Sequence, residues 1–145
     1  MADPTYFIDT NVFVYAIGQP SPFKQPCAEI LRAIAGRKIQ SATSVEVLQE
    51  ILHIYSRRNR RAEAVELART FGGQVTHLLP ITQAVFTHAL TIHSRFSQLT
   101  AKDSLHTATV YHFGLTHILS ADHHFDGLPG ITRVDPLGWR KGIGE

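Results

Sequence analysis

Four carboxylates in this 145-residue chain have neighbours and spacing that could do chemistry. Asp9 closes the β-prone run Thr5-Tyr6-Phe7-Ile8 and is followed by Thr10 and Asn11. Glu50 lies in Val47-Leu48-Gln49-Glu50, Asp103 in Lys102-Asp103-Ser104-Leu105-His106, and Asp122 in Ser120-Ala121-Asp122-His123-His124-Phe125-Asp126. Alone, each has an ordinary use, since Asp, Thr and Asn cap helices and a first-turn Asp favours the positive end of the helix dipole. Gathered in one cleft they repel, so one must be protonated or a cation must be bound. An all-oxygen set without cysteine suits Mg²⁺ or Mn²⁺. Such ions activate water and stabilise charge on a phosphodiester. The chemistry this implies is metal-dependent nuclease hydrolysis, with Asp9, Glu50, Asp103 and Asp122 as ligands directly or through water. Thr10 and Asn11 are then candidates for orienting Asp9 or a water, and Asp126, one turn past Asp122, for an outer ring.

Convergence of these acids depends on the elements that carry them. After the first strand, strand-like runs are expected at 38–42, 74–79, 117–120 and 131–134, with helical patterns between them. Cys27, Ile30, Leu31 and Ile34 repeat at helical spacing over 26–35, ahead of Gly36. Val47, Leu48, Ile51, Leu52 and Tyr55 form an apolar stripe over 44–57, and Ala64, Val65, Ala68 and Phe71 one over 61–71, which Gly72-Gly73 should end. Thr82 can cap a helix bearing Val85, Phe86, Ala89 and Leu90, and another should run from about 102 to 113. Alternating strands and helices predict a three-layer α/β/α domain around a parallel sheet of about five strands. In such a sheet, strand ends and the helix starts that follow them share the carboxyl edge, where ligands bind. That edge is where Asp9, Asp103 and Asp122 belong, with Glu50 two turns into its helix and reaching up.

The length fits one domain, expected over 1–137 with a tail at 138–145. Hydrophobic residues at 43% and charged residues at 18% are ordinary for a globular protein, and no apolar run approaches the roughly 20 residues of a membrane span. With no signal-peptide pattern and one cysteine, Cys27, the expected location is the cytoplasm. The net charge of +2 permits a polyanionic partner without demanding one. Arg57, Arg58, Arg60 and Arg61 are more pointed, because four guanidiniums in five positions call for a compensating anion or for full solvation.

Phe7-Ile8-Asp9-Thr10-Asn11, Val47-Leu48-Gln49-Glu50, Lys102-Asp103-Ser104-Leu105-His106 and Ser120-Ala121-Asp122-His123-His124-Phe125-Asp126, closing into Val134-Asp135-Pro136, together resemble the PIN domain. More narrowly, the chain is similar to the VapC toxins of toxin–antitoxin pairs. The resemblance spans nearly the whole chain in order. It implies a PIN-like α/β/α fold, Mg²⁺- or Mn²⁺-dependent ribonuclease activity, homodimerisation and inhibition by a cognate antitoxin. The family's acids fall on Asp9, Glu50, Asp103 and Asp122, and Glu50 fits better than Glu46 because it follows the Val-Leu-Gln run. The expected substrate is a structured RNA such as tRNA or rRNA, with PIN-type housekeeping RNA processing as the alternative.

Rival readings fare less well. A haloacid-dehalogenase-like phosphatase also has an Asp after its first strand, but it needs a second Asp two positions on, where this chain has Asn11. Asp103, Ser104 and His106 suggest a nucleophilic triad in composition only, because residues two apart on a helix do not face each other. The adjacent His123 and His124 could ligate a transition metal, but neighbouring side chains diverge and exposed loop histidines are common. Trp139 could stack on a base beside Arg140 and Lys141 or pack on the domain. A non-catalytic RNA-binding module that keeps a structural metal is the rival outside enzymology.

Overall fold

The computed structural model describes residues 3–139. Its strands are β1 (Thr5–Ile8), β2 (Gln40–Ser44), β3 (His77–Leu79), β4 (His117–Leu119) and β5 (Thr132–Val134). They form one parallel sheet in the order β3-β2-β1-β4-β5. Six helices flank it: α1 (Thr10–Ile17), α2 (Lys24–Ala35), α3 (Val45–Arg57), α4 (Arg61–Gln74), α5 (Gln83–Arg95) and α6 (Ala101–His112). They pack as three hairpin pairs, α1 with α2, α3 with α4 and α5 with α6. This is the three-layer α/β/α arrangement expected from the alternation of strands and helices.

The chain winds from β1 outward to β2 and β3, then crosses back to place β4 on the other side of β1. The strand order therefore reverses between β1 and β4, the kind of switch point beside which open sheets form their crevice. Phe7, Ile8, Ile118 and Leu119 are fully buried beneath it, flanked by Val12, Phe13, Val47 and Ile51 from the helices.

Several boundaries differ from the sequence expectation. β2 begins at Gln40 rather than Lys38, and β3 shrinks to three residues. The cause at β3 is that α4 does not stop at Phe71 but runs through both glycines to Gln74. Gly72 faces α3, where a Cβ would come within 2.9 Å of Leu48 Cδ1, the movable end of a side chain. The glycine lies in the packed face of α4 and does not stop the helix. At the C-terminus Pro136–Gly138 forms a 3-10 turn, and Trp139 is buried with its ring edge-on to Tyr6 at 5.9 Å. Arg140, Lys141 and the remainder of the expected tail lie outside the described residues.

Candidate active site

Backbone geometry brings the first two contributors together. Ile8 pairs with Leu119 in register, and the Asp9 amide donates to the Leu119 carbonyl at 3.0 Å, so Asp9 and Ser120 emerge side by side from the carboxyl edge. Asp9 is the N-cap of α1, taking the Thr10 N–H on Oδ1 at 2.8 Å. Its Oδ2 accepts from Ser120 Oγ at 2.6 Å and Asn11 Nδ2 at 3.2 Å. Asn11 also spans to Ser120 Oγ and takes the Ala121 N–H, tying α1 to the end of β4. One side chain thus caps α1 and faces the carboxyl edge.

Asp103 serves twice as well. It completes a capping box with Thr100, each side chain accepting the other's backbone N–H, and this fixes its carboxylate at the start of α6. Its Oδ2 also lies 3.0 Å from His124 Nδ1. Asp122 caps the 3-10 turn His123–Phe125, accepting the His124 N–H at 2.9 Å, and its Oδ1 is 3.2 Å from His124 Nδ1. Glu50 is buried on the second turn of α3, with Oε1 2.8 Å from His106 Nε2 and Oε2 3.5 Å from Lys102 Nζ.

Asp9, Glu50, Asp103 and Asp122 line one open cavity of about 470 Å³, together with Thr10, Asn11, Lys102 and His106. Protonation or a bound metal would relieve the repulsion among these carboxylates. The structure adds a third means, because two histidines each bridge a pair of acids. His106 lies 2.8 Å from Glu50 and 3.8 Å from Asp9, while His124 joins Asp103 to Asp122.

The titration of these groups follows from that pairing. Burial raises Asp9 above the usual carboxylate range against the opposing pull of His106, Ser120 and the Thr10 N–H. Glu50 is also penalised by burial, but the His106 hydrogen bond and the charges of His106 and Lys102 bring it below its ordinary value. Burial would lower His106, yet Glu50 and Asp9 raise it. His124 is raised by its hydrogen bond to Asp103 and the charge of Asp122.

Other expected residues lie elsewhere. Asp126 does not line the cavity. It pairs with Arg133 Nε at 2.6 Å and His123 Nδ1 at 2.9 Å, and Arg133 in turn donates to the Ser120 carbonyl. Arg57, Arg58, Arg60 and Arg61 form the exposed α3–α4 turn away from the cavity lining. Arg58 and Arg60 lie over the Tyr55 ring at 5.3 and 5.1 Å, and Arg60 is ion-paired with Glu63. Ser104 donates to the Thr100 carbonyl and meets His93 rather than the cleft, so no triad forms.

Sequence reasoning missed His106 and Ser120 as site residues. His106 could have been found from its three-residue spacing after Asp103, which puts both on one helix face. Ser120 could not, because only the β1–β4 register reveals it.

Oxygen donors dominate the cleft, and Thr10 Oγ1 is buried there without a hydrogen-bond partner among the described residues. That orphaned hydroxyl and the carboxylates around it suit a hydrated divalent cation. Asp103, Asp122 and His124 form the compact group, each offering a ligand atom within 4.8 Å of the others.

The sheet order and the acidic crevice at its switch point define an open α/β domain with its site at the carboxyl edge, and the PIN domain model matches residues 6–131, so the chain belongs to the PIN-domain family. Within it, the chain is 36% identical over 117 residues to Ribonuclease VapC23 of Mycobacterium tuberculosis (strain CDC 1551 / Oshkosh), covering 81% of this chain and 92% of that protein. It is 34% identical over 130 residues to Ribonuclease VapC7 of M. tuberculosis (strain ATCC 25618 / H37Rv), covering 89% of this chain and 90% of the relative. The fold also matches VapBC2 from Rickettsia felis, solved bound to a DNA fragment from their promoter. There the TM-score is 0.70 at 16% identity, over 90% of this chain and 98% of that one.

Proposed function

We infer that this protein is a divalent-metal-dependent endoribonuclease acting as the toxin of a toxin–antitoxin pair. The observation that carries this reading is the meeting of four acids from four separate segments in one open cavity at the sheet's switch point. The identity of over a third with VapC ribonucleases across most of the chain supports the substrate class and the pairing with a cognate antitoxin.

In this reading Asp103 and Asp122 hold the ion, with Asp9 and Glu50 completing its surroundings directly or through water. Mg²⁺ or Mn²⁺, when bound, supplies Lewis acidity toward water and phosphoryl oxygens. Ser120, Asn11 and the Thr10 N–H keep the Asp9 carboxylate in one orientation. His106 keeps Glu50 ionised and in place, and Thr10 Oγ1 is free to hold a water. Lys102, well exposed at the rim, meets a phosphate of the incoming strand. The arginine turn engages the RNA backbone at a distance from the scissile bond. The substrate is a structured RNA such as tRNA or rRNA. The protein acts in the cytoplasm as a homodimer, and no described helix is long and apolar enough to cross a membrane.

Replacing Asp9 or Asp103 by Asn should reduce cleavage of total RNA in Mn²⁺ by at least about a hundredfold, the scale of a lost electrostatic contribution to the transition state. Undiminished activity in folded, purified variants overturns the mechanism. The toxin role has a separate test: co-expression with the protein encoded by the adjacent reading frame should restore growth to cells that this chain arrests.

A further inference from the structure

We propose that His124 is a nitrogen ligand of the divalent ion and biases the site toward Mn²⁺ over Mg²⁺. The proposal rests on the metal reading above and adds to it a ligand other than a carboxylate.

His123 and His124 are split by the 3-10 turn they begin. His123 turns outward to Asp126 and Arg133, while His124 turns inward to the acids. Phe125, fully buried, anchors that turn, and the His124 N–H is held by Asp122. The imidazole therefore approaches from a backbone fixed on both sides. Its Nδ1 stands 3.0 Å from Asp103 Oδ2 and 3.2 Å from Asp122 Oδ1. Two donors bound about 2.1 Å from an octahedral ion at right angles are themselves about 3.0 Å apart, so these separations suit neighbouring ligands of one ion. Bridging two carboxylates by hydrogen bonds places the ring proton on Nδ1; an entering ion displaces that proton to solvent, and Nδ1 then takes a ligand position beside the two carboxylates. Mg²⁺ demands hard oxygen ligands and parts reluctantly with its waters, whereas transition ions gain more from an imidazole. Exchanging one oxygen donor for nitrogen shifts preference toward Mn²⁺.

The competing account is that His124 only bridges the carboxylates through hydrogen bonds and leaves when the ion enters. Pulsed electron paramagnetic resonance on the full chain loaded with Mn²⁺ alone separates the two. Direct coordination gives strong ¹⁴N coupling in the wild-type protein. The coupling should vanish in His124→Gln and persist in His123→Gln. Mn²⁺ affinity should fall by about tenfold or more in His124→Gln, with Mg²⁺ affinity moving by a smaller factor. His124 is half exposed, so the variant should keep the wild-type circular dichroism spectrum, and the wild-type measurement needs no variant. Mn²⁺ bound without nitrogen coupling, or bound as tightly by His124→Gln, overturns the proposal and leaves the carboxylate site standing. Absence of Mn²⁺ binding to the wild-type protein overturns both.

Discussion

His106 is fully enclosed, touches Glu50 and lies near Asp9, and its second ring nitrogen has no partner among the described residues. A protonated imidazole there compensates two buried carboxylates; His106→Ala leaves Asp9 with only its hydrogen bonds and Glu50 with only the exposed Lys102, and should cost about 3 kcal/mol in urea unfolding. The pH dependence follows from the two partners. His106 is raised in the folded state, so its contribution is complete below the unfolded histidine value and is lost as pH rises through the raised one. Glu50 is lowered, so its contribution holds above the unfolded glutamate value and fades as pH falls through the lowered one. The pair thus stabilises fully between the ordinary glutamate and histidine values, roughly pH 4.5 to 6.5, and weakens above it. Unfolding free energies measured from pH 5 to 9 should decline on the alkaline side, and Glu50→Gln should flatten that decline. Ser120 works by position alone, donating to Asp9 and accepting from Asn11 and the Asp122 N–H. Ser120→Ala strands these groups and should cost about 1–3 kcal/mol, with a loss of RNA cleavage at temperatures where the variant is still folded.

At the scale of elements, the α3–α4 turn concentrates positive charge that the cavity does not use. Arg60 is already paired with Glu63, whereas Arg57 and Arg61 have no ion-pair partner among the described residues. Replacing Arg57 and Arg61 by Ala should therefore flatten the salt dependence of RNA binding by about one to two counterions, and adding Arg60→Ala should change the slope less. An unchanged slope in the double variant would assign the turn to something other than RNA. The elements were largely legible because apolar residues recur at helical spacing, as in Val47, Ile51 and Tyr55, which the fold buries. Gly72-Gly73 do not stop the helix: Gly72 lies against Leu48 of another helix, and Gly73 sits within the last turn with open space around it. Local sequence carries no trace of such a contact.

Across the whole molecule, the cleft is built from α1, α3, α6 and the loop after β4, so an ion held there ties four segments of the folded chain together. Binding to the folded state alone stabilises it by mass action. Mn²⁺ at about a hundred times its dissociation constant should add about 2.7 kcal/mol and raise the melting temperature in proportion to the logarithm of its concentration. Asp103→Asn should show a much smaller rise, and calorimetric scans at several Mn²⁺ concentrations measure both.

The sequence by itself determined the layer order, the parallel sheet and the four acids. Those follow from period, from β-prone runs between helices, and from carboxylates at strand ends and helix starts, all properties of neighbours along the chain. Placing Asp9 after the first strand already pointed to the carboxyl edge. What only the tertiary structure decided is how that edge is made electrically tolerable. His106 between Asp9 and Glu50, His124 against Asp103, and Ser120 beside Asp9 are pairings across 21 to 111 positions. They arise because the crossover that reverses strand order sets β4 beside β1, and the energy of a charge depends on distance in space, which sequence separation does not encode.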